Sequence, residues 1–423
     1  MRNWSRRQRI LGVLGLLALL VVLGMVAVSR WPAVGATVAR PLRQVLGNRG
    51  VALLETALFE VQDGVQQARY DLGLQEAEAP WQTAALPTAT AVVPPTLAPT
   101  STPPPPTATR PSLAKDLTPP PTSIPTETPE PSPTAVPTPI PWTLPPLAHF
   151  GDLAGEGEWQ PYLYNPAGEV VGLRTFLQPD AERPYAIVGV VAFDLRRAAL
   201  HYVLGTQEPA LDDGPRGSGV IPAEQLQSGN LLAAFNGGFM ASHGAYGAMS
   251  GSVEALPAKE GYATVAIAPD GGVRIGVWGQ DIAPDAEWAA WRQNARLVVE
   301  DGEINPRVYN GSITTWGGNI NGNIVTWRSG LGISPDNQVL YFFAGPSMSM
   351  PTLAAAMTAV GVADGLLLDI NESWVHFTAV RTGADHTLVA EPLFPEGMET
   401  WTDRYLRQSD RDFFYITAED PEK

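Results

Sequence analysis

Residues 79–146 decide how the rest of the chain can fold. From "PTATAVVPPTLAPTSTPPPPTATRPS" to "PPPTSIPTETPEPSPTAVPTPIPWTLPP", this stretch holds more than half of the chain's 41 prolines. Proline lacks a backbone donor and fixes φ, and the intervening Thr, Ser and Ala bury little apolar surface, so no packed core forms here. The expectation is a disordered Pro/Thr-rich stalk, which in polyproline II geometry at ~3.1 Å per residue reaches on the order of 200 Å. It divides the 423 residues into an N-terminal segment and a body from residue 147 that must hold the core.

The N-terminal segment opens on a basic flank, residues 1–9, with Arg2, Arg6, Arg7 and Arg9, followed by residues 10–29, "ILGVLGLLALLVVLGMVAVS", which carry no charge. As a helix at ~1.5 Å per residue the run is about 30 Å long, the thickness of a bilayer core. This predicts a transmembrane signal anchor in a single-pass cell-membrane protein, with the flank in the cytoplasm and everything after Arg30 outside it. A cleaved signal peptide is the competing reading, because "AVS" and "VGA" place small residues at cut sites. Residues 30–78 then form a juxtamembrane helical segment, in which Leu54, Leu58, Val61, Val65, Ala68 and Leu72 recur at alternating four- and three-residue steps. Such a stripe over 51–74 suits a homo-oligomer of parallel helices. Gly64 interrupts it, and a single helix lying on the membrane or on its own domain fits the same residues.

In the body, residues 147–423, Trp, Tyr, Phe and Gly return in short alternating runs. "APDGGVR", "VEDGEI" and "SPDNQV" read as hairpin turns, since Asp, Asn and Gly tolerate the positive φ of tight turns. One helix is plain, "MPTLAAAMTAVG", with Pro351 in its first turn and Gly361 past its end. Many strands with few helices predict an α+β class, a single large mixed-sheet domain. The net charge of −16 removes any electrostatic reason to bind nucleic acid. The chain has no Cys, which excludes disulfides, thiolate metal sites and thiol nucleophiles. No sequence feature demands a metal or another cofactor.

Three stretches carry polar groups at the ends of apolar runs. In "LLAAFNGGFMASHGAYG" an apolar strand ends on Asn236, Gly237, Gly238 and Phe239, with His243 beyond; paired glycines let backbone N–H groups approach a ligand, or merely make a turn. In "WGGNINGNIVTWRSGLGIS", Asn319 stands in a run of alternating asparagines, and Arg328 is alone among uncharged residues. A guanidinium inside a strand needs an anion or a partner, unless the strand is an edge facing water. In "LLLDINESWVHF" a fully apolar strand of central type delivers Asp369 to its end, followed by Asn371, Glu372, Ser373 and Trp374. Trp374, like Trp316, fits either the core or a sugar-stacking platform.

Taken in order, "FNGGF", "WRSGLGIS", "AGPSMSMPTLAAAMTAVG" and "LLLDINES" resemble the phosphodiester glycosidase family over residues 180–385. Asp369 and Ser373 stand at the Asp and Ser of the family's LDGGGS motif, while Ile370, Asn371 and Glu372 replace its glycines, the form of a bacterial branch with LDIN. The resemblance implies hydrolysis of a sugar 1-phosphodiester in a surface glycan or wall polymer. It implies Arg328 holding the phosphate, Asp369 or else Glu372 as the catalytic carboxylate, and His243 as proton shuttle. Asn236, Gly237, Gly238, Asn319, Asn371, Ser373 and Trp374 would then bind substrate. The reading from another class is a non-catalytic module that binds polysaccharide from the end of its stalk.

Overall fold

Apolar alternation between tight turns builds strands, and the body is made of three sheets of them. The computed structural model describes residues 56–81 and 142–419, together with residue 50, and leaves out 212, 311–315, 317–323, 384, 396 and 399–400. The anchor expected at 10–29, most of the stalk and Asn319 lie outside the described residues. Among the described residues no helix is long and apolar enough to cross a membrane.

The largest sheet has eight strands, in the order Gln160–Tyr164, Val170–Leu177, Val188–Asp194, Val339–Met348, Thr326–Ile333, Asp364–Leu367, Leu297–Glu300 and Glu303–Ile304. A five-stranded sheet runs Leu388–Pro392, Phe377–Thr382, Leu231–Asn236, Phe413–Ala418 and Ala198–Val203. A second five-stranded sheet is built from strands between Ala248 and Gln293. The hairpins form where the turn residues place them; at "VEDGEI", Asp301 and Gly302 take φ of 51° and 80°. Every ladder pairing among the described residues is antiparallel, and the body is mostly β-sheet with few helices, as expected of one large domain.

The first two sheets face each other through an aromatic layer. Phe193 and Phe342 from the eight-stranded sheet meet Phe235 and Phe377, with Phe235 and Phe342 ring centroids 4.8 Å apart and Phe342 and Phe377 5.2 Å apart, and Phe414 extends the layer from Phe235. Rings in such contact add roughly 0.5–1.5 kcal/mol per pair beyond their buried area. The helix Met350–Val360 covers the other face of the large sheet through Leu353 and Met357. Its ends follow the sequence: Ser349 and Thr352 form a reciprocal cap, and Gly361 closes it at φ 84°.

The folded unit begins earlier than residue 147. Residues 56–71 are helical, and Asp63 binds Arg183 through both carboxylate oxygens, at 2.9 and 2.8 Å. Tyr70 packs on Tyr185 with ring centroids 5.4 Å apart. Farther on, Trp81 is buried against Phe176 and Phe394. Residues 56–81 therefore belong to the same packed unit as 142–419. Docking through Asp63 and Tyr70 turns the apolar stripe outward, so Val61, Val65 and Leu72 are 50%, 55% and 73% exposed. The helix thus lies on its own domain.

Candidate active site

Asp369 is held where two sheets bring their strand ends together. The strand Asp364–Leu367 lies inside the eight-stranded sheet, between Thr326–Ile333 and Leu297–Glu300. Its ladder continues past its end, with Leu368 N–H donating to Ser329 O at 2.8 Å and Ser329 N–H to Asp369 O at 2.9 Å. Asn294 donates from Nδ2 to the carbonyls of Leu367 and Leu368, fixing that end from beneath. In the facing sheet, Phe413 pairs with Asn236 and Phe377 with Phe235. Arg411 and Asp412 are thereby set beside Gly237 and Gly238, with Gly237 N–H donating to Asp412 O at 3.1 Å.

The Asp369 carboxylate is 4% exposed and accepts hydrogen bonds on both oxygens. Ile370 N–H and Asn371 N–H donate to Oδ1 at 2.7 and 3.2 Å. Arg411 Nη2 donates to Oδ2 at 2.8 Å and also to Gly238 O at 2.8 Å. Burial raises the Asp369 carboxyl above the ordinary carboxylate value, while Arg411 and the backbone donors oppose that rise. Burial acts to lower Arg411, but Asp369 and Asp412 hold its guanidinium above the usual value, so it stays charged. Trp374 lies against its face, 4.5 Å from ring centroid to Cζ, and Arg404 sits 5.0 Å from the same ring. Among the described residues, Arg411 Nε and Nη1 have no protein partner.

A second buried pair stands behind the first. Asp412 Oδ2 accepts from Arg292 Nε at 2.8 Å, Tyr202 OH at 2.9 Å and Gly238 N–H at 3.2 Å. Among the described residues, Asp412 Oδ1 is buried without a partner. The paired glycines exist for these groups: a Cβ on Gly237 would sit 2.1 Å from Asp412 Oδ2, and one on Gly238 2.9 Å from Arg292 Cζ. Glu208 closes the same corner, its Oε2 accepting Ala241 N–H at 2.8 Å. Its own N–H binds Asp410 O at 2.9 Å, on the segment that carries Arg411.

Several residues expected to bind substrate are used inside the protein. Asn236 donates from Nδ2 to Gly237 O and Ser329 Oγ at 2.9 and 3.0 Å, and its Oδ1 accepts His376 N–H at 3.1 Å. The N–H groups of Gly237 and Gly238 both go to Asp412. They form the frame of the site and offer a ligand no backbone donors. Arg328 departs furthest from its expected role. It is 1% exposed, with Nε on Met348 O at 2.8 Å, Nη2 on Ile324 O at 2.6 Å and Nη1 against Met350 Sδ at 3.4 Å. Burial drops it to about 9, and it presents no exposed edge to a phosphate. Trp316 is core, 1% exposed with Nε1 on Arg307 O at 3.1 Å.

Asn371, Glu372 and Ser373 follow Asp369 on the turn past its strand. Asn371 Oδ1 accepts Ser373 N–H at 2.8 Å, making the turn that bonds to Asp369, and Ser373 O accepts Arg404 Nη1 at 2.8 Å. Glu372 is half-buried on that turn. His243 ends the short 3-10 turn Ala241–His243, edge-on to Phe239 at 6.2 Å. Among the described residues no group of three or more His, Cys, Asp or Glu side chains forms a metal cluster.

Sequence reasoning missed Arg411, Asp412, Arg292 and Glu208. A signal for the first two was present: "RD" directly before the apolar strand "FFYITA" is the mirror of Asp369 directly after "LLL".

No family model matches the chain, and no curated protein matches it in sequence. Among solved structures, it is similar to the zebrafish N-acetylglucosamine-1-phosphodiester alpha-N-acetylglucosaminidase catalytic domain auto-inhibited by its pro-peptide. That match has 12% identity and a TM-score of 0.34 over 60% of this chain and 91% of the other. A hypothetical protein from Synechocystis matches at 9% identity and a TM-score of 0.32, covering 62% of each chain. An exported protein from Burkholderia pseudomallei matches at 13% identity and a TM-score of 0.32, over 55% of this chain and 74% of the other.

Proposed function

We propose that this chain is a hydrolase of sugar 1-phosphodiesters, anchored through residues 10–29 with its body outside the cytoplasm. The observation that carries the reading is the Asp369–Arg411 pair: a carboxylate at a strand end bound to a guanidinium that keeps two nitrogens for a ligand. The ordered motifs that resemble phosphodiester glycosidases place that same Asp369 at the catalytic position.

The chemistry follows from the charges. A phosphodiester leaves C1 of a sugar as a weakly basic anion, so a fixed positive charge helps more than a proton donor does. Arg411 takes the phosphate role expected of Arg328, because its guanidinium is charged, held in place and keeps N–H groups on Nε and Nη1 for phosphate oxygens. As the C1–O bond lengthens, its electron pair goes to the phosphate and the sugar ring becomes positive. The Asp369 carboxylate, already fixed, stabilises that ring charge without reorganising. Trp374 holds the guanidinium plane in place by stacking.

The test is incubation of the full-length chain, in detergent, with a panel of sugar 1-phosphodiesters and measurement of reducing sugar and phosphate monoester. Equal release of both products is expected. Retention of the sugars without release would make the protein a glycan-binding module instead.

A further inference from the structure

Hydrolysis also needs a group that takes a proton from the attacking water, and Asp369 is poorly placed to do so. Its Oδ1 already accepts two N–H groups and its Oδ2 accepts Arg411. With Oδ1 filled by two donors and Oδ2 held by a charged one, that carboxylate has little acceptor capacity left for a water. Glu372, the other carboxylate on that strand end, sits on the turn beyond it. A third carboxylate lies within electrostatic reach of Arg411. Glu208 is half-buried on a loop pinned to the Arg411 segment, with Gln207 N–H and Glu208 N–H both donating to Asp410 O, at 3.0 and 2.9 Å. Its Oε2 is fixed by Ala241 N–H, two residues from His243, and Oε1 has no partner among the described residues.

We propose that Glu208 is the general base of this site, removing a proton from the water that attacks the anomeric carbon; the proposal rests on the sugar-phosphodiester reading. The step balances: the water oxygen bonds to C1, its proton passes to Glu208, and the C1–O bond breaks with its electron pair on the departing phosphate. Asp369 is then the electrostatic partner, and the two carboxylates divide the work.

The surroundings of Glu208 suit a base. The charged groups facing it are Arg411, Asp412 and Arg292. Burial raises its carboxyl above the ordinary value; the Ala241 N–H, Arg411 and Arg292 oppose this, and Asp412 adds to it. A carboxylate lifted toward the working pH accepts a proton better than a free one.

The test compares full-length wild type with Glu208→Gln on the panel above, with and without azide, and across pH. Gln keeps an acceptor for Ala241 N–H, so the loop keeps its anchor. Loss of general-base help predicts a fall of ~10²-fold or more in hydrolysis, disappearance of the acid limb of the pH profile, and recovery of turnover by azide as a glycosyl azide, since azide needs no deprotonation. Activity within about threefold of wild type overturns the role of Glu208 and leaves the glycosidase reading standing. An equal loss with no azide rescue and an unchanged acid limb marks a structural role and also overturns the proposal. A wild type that hydrolyses none of the panel overturns the glycosidase reading and this proposal with it.

Discussion

Arg328 and Arg411 are both buried, at 1% and 7% exposure, yet their surroundings differ in kind. Arg328 lies among carbonyls and a thioether: Met348 O, Ile324 O and Met350 Sδ take its three nitrogens, and burial alone lowers it. Arg411 lies beside Asp369, uses one nitrogen within the protein, and keeps Nε and Nη1 without a hydrogen-bond partner among the described residues. Taking an ion out of water costs several kcal/mol even after relaxation. Carbonyl dipoles offset that cost for Arg328 by using its donors up. The Asp369 carboxylate, with Asp412 and the Gly238 carbonyl, offsets it for Arg411 and leaves donors over. The difference teaches that a lone Arg in an apolar strand can be a brace, and that the functional one is recognised by what its partner leaves open.

That contrast can be broken in several places. The largest effect is expected at the carboxylate: Asp369→Asn keeps acceptors for Ile370 N–H and Asn371 N–H, so the fold should persist while sugar release falls by ~10²-fold or more. Circular dichroism and product assay on the same sample check both halves. On the other side, Arg328→Met strips donors from two buried carbonyls, at roughly 1–3 kcal/mol each. A lowered denaturation midpoint is expected, read by urea titration.

Buried His376 and half-buried His201 add a pH test of the frame. His376, beneath Asn236, is lowered by burial to about 3, with Arg404 adding to the drop, and His201 is lowered to about 4. Their unfolded values are near 6.5, so the unfolded chain binds more protons as pH falls below that value. Their contribution to stability is full above pH ~6.5 and is lost as pH falls toward 4 and then 3. Melting temperature measured across that range should drop, and His376→Gln should flatten the drop. The smallest effect concerns the outward stripe: if it pairs copies of the chain, Val61→Asp with Val65→Asp should lower the mass seen by sedimentation and leave sugar release unchanged.

How much of this was legible in the sequence depended on the range of the interactions. The turn at "VEDGEI", the caps of Met350–Val360 and the strand that ends at Asp369 are set by residues within a few positions of one another, and each is where the sequence places it. The Asn236–Gly237–Gly238 corner was legible as a close approach but not as to what approaches. The groups that need the space, Asp412 and Arg292, arrive from about 175 and 55 positions away, 174 residues separating Gly238 from Asp412. Arg411 was invisible for the same reason, since its place depends on Phe413–Ala418 pairing with Leu231–Asn236. Residues 56–81 read as a separate segment because proline composition marks where a core stops and says nothing of whether the chain returns to it. Trp81 and Asp63 show that it does.

The most direct measurement is kcat/KM for one hydrolysed sugar 1-phosphodiester in full-length wild type, Arg411→Lys and Arg328→Lys, each corrected for its folded fraction. Lysine keeps the charge and loses the planar fork. The account predicts a fall of ~10²-fold or more for Arg411→Lys, with Arg328→Lys staying within about tenfold of wild type. A folded but inactive Arg328→Lys beside an Arg411→Lys of wild-type activity would contradict it.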